Sequence, residues 1–357
     1  MFALLPLPAG AAASFVGLDL PGSQLSALSQ DGRAGAGNLV GATSGGFRWR
    51  AGEAAELLRD AVSARAISPS GHYVAGSALD AMQREVAAYW DAQGKLHAMS
   101  GIAGATAAGG VLGIAFGITD EPCLVGLTFT ADSRSAAFSW TPREPPQLLP
   151  AAAGDGARAT GIGADGSRIY GWIEPPGAPR RAALWSAGEL RIIDAGDSGE
   201  VLGANRAGDV VLGISRHAHR APLVWRWSAG AGLAMLTGPS SQAAPAAQLT
   251  AGDDAGALLA GSLGSGTERV AAVWTAHAGV QTLERFLHDR RIAIPNGWTL
   301  AAATAVCGDG HCIGGWGQHA GHFDSFIVDL PAAGKSTGDP ATLPHPPTET
   351  NLGETTR

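Results

Sequence analysis

Residues 161–186 read "GIGADGSRIYGWIEPPGAPRRAALWS". Asp165-Gly166 is a tight-turn dipeptide, because such turns need a positive φ that glycine adopts without a Cβ penalty. The apolar run "RIYG" follows, closed by Gly171 five residues after Gly166, and Trp185 stands 14 residues after Gly171. A second Gly turn then leads into "ELRII" (189–193). The pattern predicts four short strands, called a to d here: a ends at the turn, b is "RIYG", c is "AALW" and d is "ELRII".

The same phrase recurs as "ALSQDGRAGAG" (27–37), "AISPSGHYVAG" (66–76), "GANRAGDVVLG" (203–213), "AGDDAGALLAG" (251–261) and "AVCGDGHCIGG" (305–315), with a degenerate copy, "GITDEPCLVG" (117–126), in which Pro122 disturbs the turn. That makes seven copies. An anchor follows each closing glycine by 12 to 14 residues: Trp49, Trp90, Trp140, Trp185, Trp227, Trp274 and Val328. The closing glycines lie 39 to 54 residues apart.

Four-stranded units of roughly 40–50 residues are the mark of propeller blades. A sheet apolar on both faces must pack on its neighbours, and the repeated indole is expected to wedge adjacent blades. The expected fold is therefore all-β: a seven-bladed β-propeller of four-stranded antiparallel blades over residues 14–331. The seventh unit lacks strand d, while "FVGLDL" (15–20) looks like a spare one. It is expected to complete that blade and clasp the chain ends. Helical periodicity is absent. Residues 332–357, Pro-rich and polar, are expected to be a disordered tail.

The net charge of −7 and the lack of a basic stretch argue against nucleic acid as partner. No apolar run is long enough for a transmembrane segment. Residues 1–13 carry an apolar run, Phe2–Leu7, and the small residues Ala11–Ala13. They are expected to be a truncated signal peptide, which places the protein outside the cytoplasm, extracellular or periplasmic.

The segments 66–90 and 297–331 resemble the HAF-repeat family of bacterial extracellular proteins, whose hallmark is A-x-x-I-S-x-D-G followed by V-V-G and A-F-x-W. "FVGLDLPG" (15–22) is similar to that family's usual start. Val328 in place of Trp and the missing turn glycine near Pro122 depart from its pattern. The resemblance implies export and a propeller-like repeat; it brings no catalytic residues and no cofactor.

Three local matches to catalytic motifs fail on context. "GIGADG" (161–166) leads into a strand, whereas a dinucleotide fingerprint opens a helix. "DLPAAGKST" (329–337) lacks the first glycine of a phosphate loop and the helix after it. "GDSG" (196–199) has no His and Asp in the order a serine protease needs.

The b–c loops share one face in a propeller, and that face gathers charge. Arg84, Glu85, Asp132, Arg134, Glu174, Arg181, Arg216, His217, His219, Arg269, His319 and His322 are the candidate ligand-binding residues. Acids mixed with arginines suit a glycan or another polar ligand, since Arg binds carboxylates bidentately. No zinc spacing is recognised among the histidines, and neither a metal nor a cofactor is assigned.

Cys307 and Cys312 flank "GDGH". If Asp309-Gly310 is a two-residue turn, they form a non-hydrogen-bonded cross-strand pair, where a disulfide fits. Cys123 is left as a core residue.

The sequence is thus read as an exported binding or interaction module with a glycan or protein ligand and no catalytic residues assigned. The alternative is a secreted hydrolase or lyase acting on polysaccharide through the b–c face.

Overall fold

The computed structural model describes residues 14–41, 44–102, 106–216, 222–236 and 247–331. The expected signal peptide (1–13), the tail (332–357), His217 and His219 lie outside them. The described residues form 28 strands, arranged as five four-stranded sheets and one eight-stranded sheet. The fourth unit shows the plan: Gly156–Ile162, Arg168–Glu174, Arg181–Ser186 and Glu189–Ile193 run as an antiparallel meander. The strands fall where the quoted phrase puts them. The eight-stranded sheet is two such meanders joined by a short parallel pairing, Ala204 with Ala251 and Asn205 with Gly252.

The sheets' first strands are Ser23–Leu28, Ala61–Ile67, Gly113–Ile118, Gly156–Ile162, Ser198–Asn205, Gln248–Gly252 and Thr299–Val306. Each lies against the next in this order, and Thr299–Val306 also lies against Ser23–Leu28. Thr304 Oγ1 donates to the Leu25 carbonyl across that last contact at 2.8 Å.

Each first strand carries a bulge, and this explains the closing glycines. In the fourth sheet the register slips between Ala159 and Gly161, and Gly171 pairs with Ala159 beside the slip. A Cβ on Gly171 would lie 2.0 Å from the Arg158 carbonyl oxygen. The same collision, at 1.8–2.1 Å, faces Gly76, Gly126, Gly261 and Gly315. The extra residue at the bulge beside each closing glycine is Ser26, Arg65, Phe116, Thr160, Leu202, Thr250 or Thr304.

The turn before strand b is also regular. The Gly166 N–H bonds to the Gly163 carbonyl, and Gly310 does the same to Cys307. Both glycines have φ near +75°. The turn's first residue usually supplies an acceptor: Ser29, Ser68, Asn205 and Asp253 each take backbone N–H groups four or five residues on. In the third unit Thr119 plays this part for Cys123, in a turn one residue shorter that dispenses with glycine.

The cores lie between sheets, each mixing residues of two consecutive ones. Trp90 packs on Ala36 and Ile67, Trp185 on Val125 and Ala157, and Trp274 on Leu212 and Leu249. Trp90 Nε1 donates to the Arg59 carbonyl and Trp185 Nε1 to that of Pro150, so the wedges are also hydrogen-bonded. Trp49 is only half-buried, in the core shared by the last and first sheets.

The amino-terminal strand is Ser14–Gly17, shorter than expected, and pairs antiparallel with His322–Asp329. Buried Asp324 extends the contact, accepting from Leu20 N and Ser23 Oγ. One element was not expected: helix Leu283–Asp289, capped by Thr282 Oγ1. Leu283, Phe286 and Leu287 sink into the core between the sixth and seventh units. A seven-residue helix is too short to leave a periodic trace in sequence.

Candidate functional site

The bulges build a cavity. These seven bulge residues line one space of about 580 Å³ between the first strands, within the size range of small-molecule sites. Its charged lining is Arg65, Arg158, Arg206 and Arg269 against one carboxylate, Glu200. Phe116, Trp172 and Trp316 supply aromatic faces.

Arg158 is the focal cation. Its guanidinium lies 3.9 Å from the Phe116 ring centroid, and its Nε is buried without a hydrogen-bond partner among the described residues. Burial lowers its pKa, and the like charges of Arg65 and Arg180 lower it further, with Glu200 opposing them. Arg269 stands over Trp316 and its Nε is likewise buried and unpartnered. Glu200 is held by Arg180 at 3.1 Å and Arg216 at 3.3 Å. Arg206 reaches across the cavity to the Leu28 carbonyl at 3.2 Å.

Beyond Arg206 the turns form a vestibule lined by Gln30, Asp31, Pro69, Ser70, Asp120, Asp254, Asp309 and His311. Partial burial works to raise the Asp120 carboxyl, but hydrogen bonds from the side chain and N–H of Ser70 outweigh it and the net shift is downward. Asp31 behaves alike: burial raises it, and bonds from Ser29 and Arg33 bring it below the usual value. This end is therefore anionic at neutral pH, while the lumen is cationic. An anion is favoured from the opposite end, where the b–c loops lie.

The expected b–c residues have mixed fates. Among the described ones, only Arg269 lines the cavity. Arg84 pairs with Asp80, and Arg134 with Asp132, each within its own turn. Glu174 lies 3.5 Å from Arg180, and Arg216 binds Glu200 at the cavity's edge. Glu85 accepts from Ser77, and Arg181 is exposed. His319 and His322 face each other across one hairpin, with His319 stacked on Trp298 at 4.8 Å, away from the cavity. The sequence reading missed Arg65, Arg158 and Arg206. One signal was available: the bulge residue stands 10 or 11 positions before each closing glycine.

The expected turn at the cysteines is corrected. Cys307 N–H bonds to the Cys312 carbonyl, and the turn spans Cys307–Gly310 rather than Asp309-Gly310 alone. The two residues thus sit at a hydrogen-bonded position, where the backbones are farther apart than at the position assumed for the disulfide. All three cysteines are free thiols. Cys307 Sγ instead accepts from Cys312 N at 2.6 Å, the part that Ser29 and Ser68 oxygens play in their own turns.

No family model and no curated protein matches the chain. Solved structures do. The oligogalacturonate lyase from Vibrio parahaemolyticus aligns at TM-score 0.56 and 9% identity, over 90% of this chain and 98% of that one. The β-propeller domain of the Trilobed protease from Pyrococcus furiosus aligns at TM-score 0.55 and 10% identity, over 86% and 93%. TolB from Acinetobacter baumannii aligns at TM-score 0.49 and 9% identity over 72% of this chain, which spans only 62% of that protein. At such identities the likeness concerns architecture alone: the chain has an all-β propeller fold built of four-stranded meanders.

Proposed function

We propose that the protein is an exported, seven-bladed propeller, closed by strand Ser14–Gly17, that binds a carboxylate-bearing saccharide in its axial cavity. The observation that carries the binding is the Arg158 guanidinium, crowded by like charge and with its Nε buried and without a hydrogen-bond partner among the described residues, inside a cavity of ligand size. An anion there relieves both conditions, and the aromatic rings offer stacking faces for a sugar. The first-strand contacts, the inter-sheet cores and the Ser14–Gly17 pairing support the closed seven-blade reading. Export and membership of the HAF-repeat group rest on the amino-terminal composition and the motifs at 15–22 and 66–90. The likeness to an oligogalacturonate lyase makes uronic-acid oligomers the first ligands to try.

The test is calorimetric titration with trigalacturonate and with a neutral trisaccharide. The acidic sugar should bind with one site per chain and the neutral one should not. Arg158→Ala should weaken binding by roughly tenfold or more, the worth of a charged hydrogen bond. Equal affinity for both sugars, or an unaffected variant, overturns the proposal. Appearance of an unsaturated or shortened product during titration would favour the lyase or hydrolase alternative.

A further inference from the structure

The hairpin tip 307–312 brings together groups that the anion-binding reading does not use. Cys307 Sγ, a ring nitrogen of His311 and Cys312 Sγ all lie within 4.8 Å of one another. Cys307 Sγ is 3.4 Å from His311 Nδ1 and 3.7 Å from Asp309 Oδ1. Asp309 Oδ1 also contacts His311 Nδ1. We infer that this tip is a binding site for one zinc-class ion, held by Cys307, His311 and Cys312, with the Asp309 carboxylate as fourth ligand.

The spacing fits. Zinc bonds of about 2.3 Å to sulfur and 2.0–2.1 Å to nitrogen or oxygen, at tetrahedral angles, place sulfur about 3.6 Å from an N or O ligand and about 3.8 Å from a second sulfur. The observed separations from Cys307 Sγ bracket the first value, and the sulfur pair needs a shift of at most about 1 Å. The donor set of two sulfurs, an imidazole and a carboxylate suits zinc better than calcium or magnesium, which take oxygen. The Cys312 side chain, burial and the Asp309 charge push the Cys307 thiol up, so the ion must displace its proton, with one contact in its favour. The Cys312 N–H points at Cys307 Sγ, and such a bond is strengthened when the sulfur is a thiolate. Both sulfurs are buried, while the His311 side chain is 39% exposed at the vestibule. The acidic vestibule draws cations towards that side. The first sheet completes the enclosure: Gly32 has φ +68°, and a Cβ there would lie 2.4 Å from Cys312 Sγ.

The substitution that isolates the site is Cys307→Ser. Serine holds the equivalent turn position at Ser29 and Ser68, accepting the same backbone bond, so the turn tolerates it. Cobalt(II) is the probe, added to full-length protein kept reduced. The wild type should take up one equivalent and show thiolate-to-cobalt charge-transfer bands with the intense visible bands of a tetrahedral site. Zinc should displace the cobalt and raise the melting temperature. Cys307→Ser should lose affinity by more than the roughly 10–100-fold that an outer-shell partner is worth, and the zinc-dependent shift should vanish. His311→Ala should keep a weakened thiolate band, and Cys123→Ser should behave as wild type. Absence of the bands from reduced, folded wild type overturns the inference. So does a Cys307→Ser spectrum equal to wild type. Isolation of metal-free protein with a single titratable thiol would also overturn it, in favour of the disulfide.

Discussion

Gly171→Ala tests the bulge that shapes the lumen. The new Cβ would sit 2.0 Å from the Arg158 carbonyl oxygen and 3.0 Å from Ala159 Cα. That is roughly 1 Å or more inside ordinary contact, and no side-chain rotation relieves it, because both atoms are backbone. The strand pair must separate or the bulge must turn its carbonyl away. Overpacking of this kind costs about 1–3 kcal/mol, and the rigid backbone places this case at about 3 kcal/mol or more. For a domain of this size that is a fall in melting temperature of roughly 4–5 °C or more. Two controls separate the clash from the loss of a glycine. Gly188 has φ +77° with nothing within 4 Å of a Cβ, so alanine there pays only the left-handed penalty of about 1–2 kcal/mol. Gly101 has open space and no positive φ, so alanine there should be neutral or stabilising by up to about 1 kcal/mol. Thermal unfolding followed by circular dichroism reads all three. A Gly171→Ala protein that melts no lower than Gly188→Ala would refute the bulge explanation of the repeat.

Three further expectations concern the frame. Trp185→Phe removes the indole donor to the Pro150 carbonyl at 2.7 Å and should lower the urea-derived stability by about 2 kcal/mol, whereas an unchanged midpoint would deny the wedge its hydrogen bond. Asp324→Ala orphans Leu20 N and Ser23 Oγ and should cost about 2–3 kcal/mol, with hydrogen exchange accelerating first in residues 14–20; protection left intact there would rule out the carboxylate as a latch. Asp31, Asp120 and Asp309 have carboxyl pKa values below the ordinary one. A depressed folded value means stability present above the unfolded pKa and lost as pH falls through the folded one. The melting temperature should therefore hold above about pH 4 and fall below it, and Ser70→Ala should shrink that acid-side fall.

The architecture was legible because turn glycine, closing glycine and Trp anchor each answer a strict local need. Trp185 needs a neighbouring sheet, and Gly171 needs the carbonyl of Arg158 close by. The lumen was less legible because a bulge breaks the two-residue alternation by which strand faces are read. Arg65 and Thr160 therefore point to the axis from positions that simple alternation does not mark. The charges of the b–c loops attracted notice by number, yet Asp80 with Arg84 and Asp132 with Arg134 are turn-forming pairs. At the cysteines the dipeptide Asp309-Gly310 suggested the shorter turn, while Cys307, placed like Ser29 and Ser68, marks the longer one.

The central claim is a cationic lumen, bounded by the bulges of the first strands, that takes an anion beside Arg158. Crystals of the protein soaked in iodide, with anomalous diffraction collected, address it directly. The account predicts an iodide peak inside the axial cavity, in contact with the guanidinium groups of Arg158 and Arg269. A lumen filled by side chains, or iodide found only on the outer surface, would contradict it.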